Sequence, residues 1–142
     1  MLRRDSGLIQ FIRRQWNWVV AVCVGSALAH APSSLMPFQV GALIDGSGRS
    51  AEQAGRFGFV ELCALALGMI VISPKIDRFS PGRIAMVSAL LAVLANLGLF
   101  MVHDYAAQIL CGALAGAAFG FVFAATIAGA ASCGEADRLY AI

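Results

Sequence analysis

Residues 84–102 read IAMVSALLAVLANLGLFMV, nineteen positions without one Asp, Glu, Lys or Arg. A bilayer's hydrocarbon core is about 30 Å thick and takes roughly 20 apolar residues of helix to cross, so this stretch is a membrane span. The same test applied outward finds residues 105–134 and residues 15–44 equally free of charge. Residues 54–74 are apolar apart from Arg56 at their mouth and Glu61 within. An even number of crossings places the charged connections sensibly, which predicts an all-α polytopic membrane protein with four transmembrane helices, about 18–45, 51–74, 81–102 and 105–133, behind an N-terminal segment 1–17. Composition agrees: 60% of the residues are hydrophobic and 13% charged, against about 25% charged in an average soluble domain. The partner implied is the lipid bilayer.

The N-terminus carries a competing pattern. Arg13 and Arg14, the apolar residues 18–25 and the small-residue run Ala27-Leu28-Ala29 resemble a secretory signal peptide with its cleavage site. The apolar run continues to Ile44 and further spans follow, so an uncleaved first helix is the simpler account. Cys23, Cys63, Cys111 and Cys133 all fall in apolar segments with no C-x-x-C pair or adjacent His. They read as small hydrophobes, and neither a metal nor a cofactor is implied.

Basic residues orient the chain. Arg3, Arg4, Arg13 and Arg14 precede the first span, Lys75, Arg78 and Arg83 lie in the second connection and Arg138 follows the fourth, while only Arg49 and Arg56 fall on the other side. The positive-inside rule then puts both termini in the cytoplasm of a cell whose inner (plasma) membrane holds the protein, with Trp16 and Trp18 at the interfacial level. Ser50 with Gln53 forms a capping box for the second helix, Ser80-Pro81 opens the third, and Asp104 caps the fourth. Pro32 and Pro37 remove backbone hydrogen bonds from the first helix and are expected to bend it.

Between the second and third spans stands SPKIDRFSPGR, residues 73–83. Its order resembles the signature Gly-x-x-x-Asp-Arg-x-Gly-Arg-Arg found between helices two and three of the major facilitator superfamily of transporters. Ser73 takes the first Gly position, Asp77 and Arg78 match, and Gly82 and Arg83 match after a two-residue insertion that includes Pro81. Residues 36–68, MPFQVGALIDGSGRSAEQAGRFGFVELCALALG, look like the end of helix one, the outer loop and helix two of such proteins, including the start Ser50, Gln53, Gly55. Residues 112–124, GALAGAAFGFVFA, are similar to the helix-four pattern Arg-x-x-x-Gly-x-x-x-Gly, with Gly112 at the Arg position.

The resemblance implies a secondary active transporter of a small molecule. Family members have twelve spans in two six-helix halves, each of two inverted three-helix repeats. Residues 17–142 match one repeat and the first helix of the next, an incomplete N-terminal half not expected to transport by itself. It implies a cytoplasmic gate in which Asp77 is the carboxylate and Arg78 and Arg83 pair with acidic groups, with Gly82 permitting a tight turn. The plain alternative for Lys75, Arg78 and Arg83 is enforcement of topology.

Glu61 is the most informative single residue, because a carboxylate inside a span is costly unless it faces a cavity or a partner. Counting from the cytoplasmic ends brings His30 and Glu61 to similar depth, which predicts a pair facing a central aqueous cavity and titrating with substrate or proton. The alternative has Glu61 snorkelling outward and His30 packed. Gly112, Gly116 and Gly120 share one helix face and predict close helix packing rather than a binding site. Asn96 and Thr126 are expected to hydrogen-bond across helices.

No phosphate loop, zinc motif or nucleophile elbow appears, so an enzyme is not expected. The net charge of +2 comes from loop arginines and implies no nucleic acid. The leading expectation is thus a transporter fragment, with an unidentified small-molecule substrate and the missing C-terminal half as partners. The alternatives are a dimeric four-helix multidrug exporter and a non-catalytic assembly or regulatory subunit. An exporter of that kind carries its carboxylate in helix one, where this sequence has none before Asp45.

Overall fold

A computed structural model describes residues 16–132, apart from the side chains of Trp18 and Asp77. The expectations placed on Arg3, Arg4, Arg13, Arg14, Cys133 and Arg138 lie outside the described residues, as does the gate role of the Asp77 side chain. The chain is all-α: α1 Trp16–Ser47, α2 Ala51–Ile72, α3 Pro81–Met101 and α4 Tyr105–Ala131. All four are long and apolar enough to cross a membrane. The molecule is a polytopic α-helical membrane protein.

The helix starts follow local chemistry. Ser50 Oγ accepts from Gln53 N–H at 3.2 Å while Gln53 Oε1 accepts from Ser50 N–H at 3.2 Å, closing the capping box. Ser80 Oγ accepts from Arg83 N–H at 3.3 Å and Asp104 Oδ2 from Ala107 N–H at 2.9 Å. At its other end α1 stops on Gly48, whose φ of 62° is the only positive value among the described residues. That left-handed residue lets Arg49 N–H turn back onto Leu43 O at 3.0 Å. The helix itself runs unbroken through Pro32 and Pro37.

α4 is the centre of the bundle. Half of its spanning window is buried inside the protein, against 17% for α3. Its closest crossing is with α2, and small residues make it. A Cβ on Gly116 would overlap the Glu61 carbonyl oxygen, one on Gly120 the Leu65 carbonyl oxygen, and one on Gly68 would stand 2.6 Å from Ala117 O. Gly112 meets the Phe57 ring, at 2.5 Å from such a Cβ. Lipid is as apolar as a leucine side chain, so association inside a membrane depends on this close packing rather than on apolar burial. The outside of the bundle is correspondingly apolar, with Phe38, Phe59, Ile70, Met86, Phe100 and Met101 all exposed.

The charged connection between α2 and α3 is ordered. Ser73–Arg78 winds into a 3₁₀ helix, begun by Pro74 in its first turn and tied back by Ser73 Oγ donating to Met69 O at 2.6 Å. Ile76 is its anchor, buried against Ala124 and Ala125 of α4 with Ile72, Ile84, Ala85 and Ala128 around them. One apolar side chain thus pins a segment whose remaining described charges face outward.

Candidate functional site

Along α2 the buried residues Ala54, Phe57, Gly58 and Glu61 recur at intervals of three and four, which is one helix face. That stripe carries Glu61 into the interior with its apolar neighbours. The side chain is wholly buried, at 0% exposure, and neither carboxylate oxygen has a hydrogen-bond partner. Snorkelling to the outer surface does not occur. From α1 the neighbour is Gln39, whose side chain lies beside the carboxylate. Gln39 Oε1 is buried and unpartnered too. On the α4 side, Gly116 packs against the Glu61 backbone carbonyl. Three buried acceptor oxygens are therefore without a hydrogen bond, next to the N–H donor that the Gln39 amide itself carries.

Gln39 also faces the other way. Between α1 and α3 runs a furrow floored by α4, whose part toward the C-terminal ends of α1 and α3 has a volume of about 580 Å³ and is lined by Gln39, Leu35, Asn96, Phe100 and Phe119 among others. Its other part, about 430 Å³, lies between the starts of α1 and α3. The two meet at Leu28, Ala89 and Val122. Glu61 lines neither part, so Gln39 stands between the buried carboxylate and the furrow.

His30 is not the partner of Glu61. It is exposed, its Nδ1–H donates to Ser26 O at 2.8 Å, and its ring meets Phe123 edge-on at 5.4 Å between centroids. Gln39 lies nine residues further along α1, about 13 Å of helix rise. The physical reason is where register is set. The three residues between α1 and α2 fix their alignment at that end of the bundle, and counting back from that tight turn brings Glu61 level with Gln39 rather than His30. Asn96 and Thr126 also differ from expectation, because each bonds within its own helix, Asn96 Nδ2 to Ala92 O at 2.9 Å and Thr126 Oγ1 to Val122 O at 2.8 Å. An i−4 carbonyl is always within reach of such side chains, so the local bond forms first.

In the 73–83 segment, Lys75, Arg78 and Arg83 are exposed. Gly82 does not make a tight turn. It sits in the first turn of α3, after Ser80 and Pro81 have started that helix, and a Cβ there would meet nothing within 4 Å.

A second cluster escaped the sequence reading. At the end of the bundle where α1 turns into α2, Arg49 Nε donates to Gln108 Oε1 at 3.0 Å and its Nη2 donates to the His103 carbonyl. The guanidinium lies 5.4 Å from the centre of the Tyr105 ring, and Tyr105 Oη donates to Gln53 O at 3.0 Å. Gln108, only 2% exposed, passes its amide on to Val102 O at 3.2 Å. The short connection after α1 thereby clamps the one between α3 and α4. The available signal was charge on the minority side, since the positive-inside pattern gives no reason for an arginine in the connection between α1 and α2. Arg56, the other arginine at this end, turns back to Glu52 at 2.6 Å, with both side chains exposed.

Among the described residues no group of His, Cys, Asp or Glu is arranged to hold a metal ion. Comparison with family models, with curated proteins and with solved structures finds no match to this chain.

Proposed function

We propose that this chain is part of a secondary active transporter of a small molecule, of the major facilitator kind, and that it acts together with further helices. The observation that carries the reading is Glu61, a fully enclosed carboxyl without a partner at the crossing of α1, α2 and α4. Such a group is costly in a membrane interior and is retained where charge or protons move. The resemblance of the 73–83 segment and the amides of Gln39 and Asn96 facing one furrow support it. In this reading the protein sits in the cytoplasmic membrane with both termini inside, Arg78 and Arg83 serve the cytoplasmic gate, and no catalysis is involved. A non-catalytic subunit that pairs Glu61 with another protein fits less well, because the bundle would have to open to expose it.

The test has two parts. An immunoblot of native membranes with an antibody to residues 2–10 is expected to show a band near three times the 14.8 kDa of this chain, the size of paired six-helix halves. A stable band at 14.8 kDa would move the reading to a free four-helix protein, an exporter dimer or an assembly subunit. Vesicles holding the native protein should then take up members of a panel of radiolabelled sugars, organic acids and organic cations under an imposed proton gradient, and lose that uptake in Glu61→Gln. Gradient-independent uptake that survives the substitution counts against coupling at this residue.

A further inference from the structure

We infer that Glu61 and Gln39 form a proton-binding site that exchanges through the furrow between α1 and α3. The inference deepens the transporter reading by naming the ion at its buried carboxyl. Three buried acceptor oxygens, Glu61 Oε1, Glu61 Oε2 and Gln39 Oε1, have no hydrogen-bond partner. Two acceptors placed together without a hydrogen repel, and leaving them unsatisfied is expensive. A single proton resolves the arrangement: bound to Glu61 it turns one acceptor into an O–H, which donates to Gln39 Oε1. The Gln39 amide carries the complementary N–H donor for the other carboxyl oxygen.

Size excludes larger occupants. Glu61 has no exposed surface and lines neither part of the furrow. The α2–α4 crossing beside it is closed by backbone contact at Gly116, Gly120 and Gly68. A metal cation demands about four to eight ligands, whereas this site offers three oxygens from two residues. A proton needs neither room nor a coordination shell. The route is Gln39, which touches the carboxylate on one side and lines the furrow on the other. Rotation of its amide carries the hydrogen bond from the core toward the furrow, where Asn96 offers a second amide.

Glu61 titrates without a charged neighbour. α1 contributes Gln39 beside the carboxyl, and Gly116 of α4 packs on the Glu61 backbone. The other titratable groups of these helices lie elsewhere: Cys23 is exposed near the start of α1, His30 bonds Ser26 O, Asp45 is exposed near the other end of α1, Cys111 faces Gly98 of α3 and Tyr105 belongs to the Arg49 cluster. On α2 itself, Glu52 and Arg56 pair with each other at the outer surface, and Cys63 is exposed.

The test is infrared difference spectroscopy on the purified full chain in lipid nanodiscs, read without any substrate. Glu52 and Glu135 are replaced by Gln, which leaves Glu61 as the single glutamate, and glutamate is supplied with a ¹³C-labelled side-chain carboxyl. The expected result is a labelled carboxylic-acid carbonyl band at acid pH that disappears reversibly as pH rises. It is absent in Glu61→Gln. In Gln39→Leu the band shifts to the frequency of a free carboxylic acid and its exchange into deuterated water slows. A labelled band that never changes with pH overturns the proton site, and one that titrates and exchanges identically in Gln39→Leu overturns the route. Because no transport is measured, uptake that fails while the band titrates sinks only the transporter reading.

Discussion

Arg49→Ala leaves the buried Gln108 Oε1 and the His103 carbonyl without their donor. Stranding a buried acceptor costs about 1–3 kcal/mol. The variant is expected to melt at a lower temperature than the parent in detergent, and Arg49→Lys to recover only part of the loss, because an ammonium cannot serve two acceptors and stack on Tyr105 with one planar fork. An unchanged melting temperature in Arg49→Ala would show that the cluster does not hold the α1–α2 and α3–α4 connections together. Glu61→Gln has the opposite sign. Its amide N–H can donate to Gln39 Oε1, so the neutral isostere should be as stable as the parent or more so, while any function that needs a titrating group is lost. A large drop in melting temperature would mean that Glu61 has a stabilising partner in the folded state.

At the level of helices, glycines with the same local propensity separate by what they face. Gly116→Ala places a methyl into the Glu61 carbonyl oxygen of α2. Overpacking of this kind costs about 1–3 kcal/mol, and Gly116→Leu should abolish accumulation in the membrane. Gly82→Ala meets nothing within 4 Å in the first turn of α3. It should gain about 0.4–1 kcal/mol from the reduced freedom of the unfolded chain. The two variants belong in one thermal-melting series, and equal effects would contradict the close α2–α4 crossing. The glycine spacing on α4 was legible as a packing face, but the backbone atoms it meets on α2 were not. Register between helices is a property of two elements and their connection, and no periodicity within one of them encodes it.

Across the whole molecule, orientation rests on charge asymmetry, and labelling tests it directly. In a background where the four cysteines are replaced by alanine or serine, Ser47→Cys at the outer end of α1 should react with a membrane-impermeant maleimide on intact cells. Arg78→Cys should react only after permeabilisation. The reverse pattern would place the 73–78 segment outside and remove the cytoplasmic gate. The same experiment probes the furrow, since Asn96→Cys labels in lipid-embedded protein only if water reaches the face between α1 and α3.

Local chemistry was enough to establish the four apolar helices, their caps at Ser50, Ser80 and Asp104, and the small-residue face of α4. Each depends on residues within a few positions of one another and on the thickness of a bilayer. What needed the folded bundle was partnership. The tight turn at Gly48 sets α1 against α2 so that Gln39 rather than His30 reaches Glu61, and it swings Arg49 onto the connection between α3 and α4. Those meetings join residues far apart in the chain, and only the packing of α1, α2 and α3 around α4 decides which of them touch.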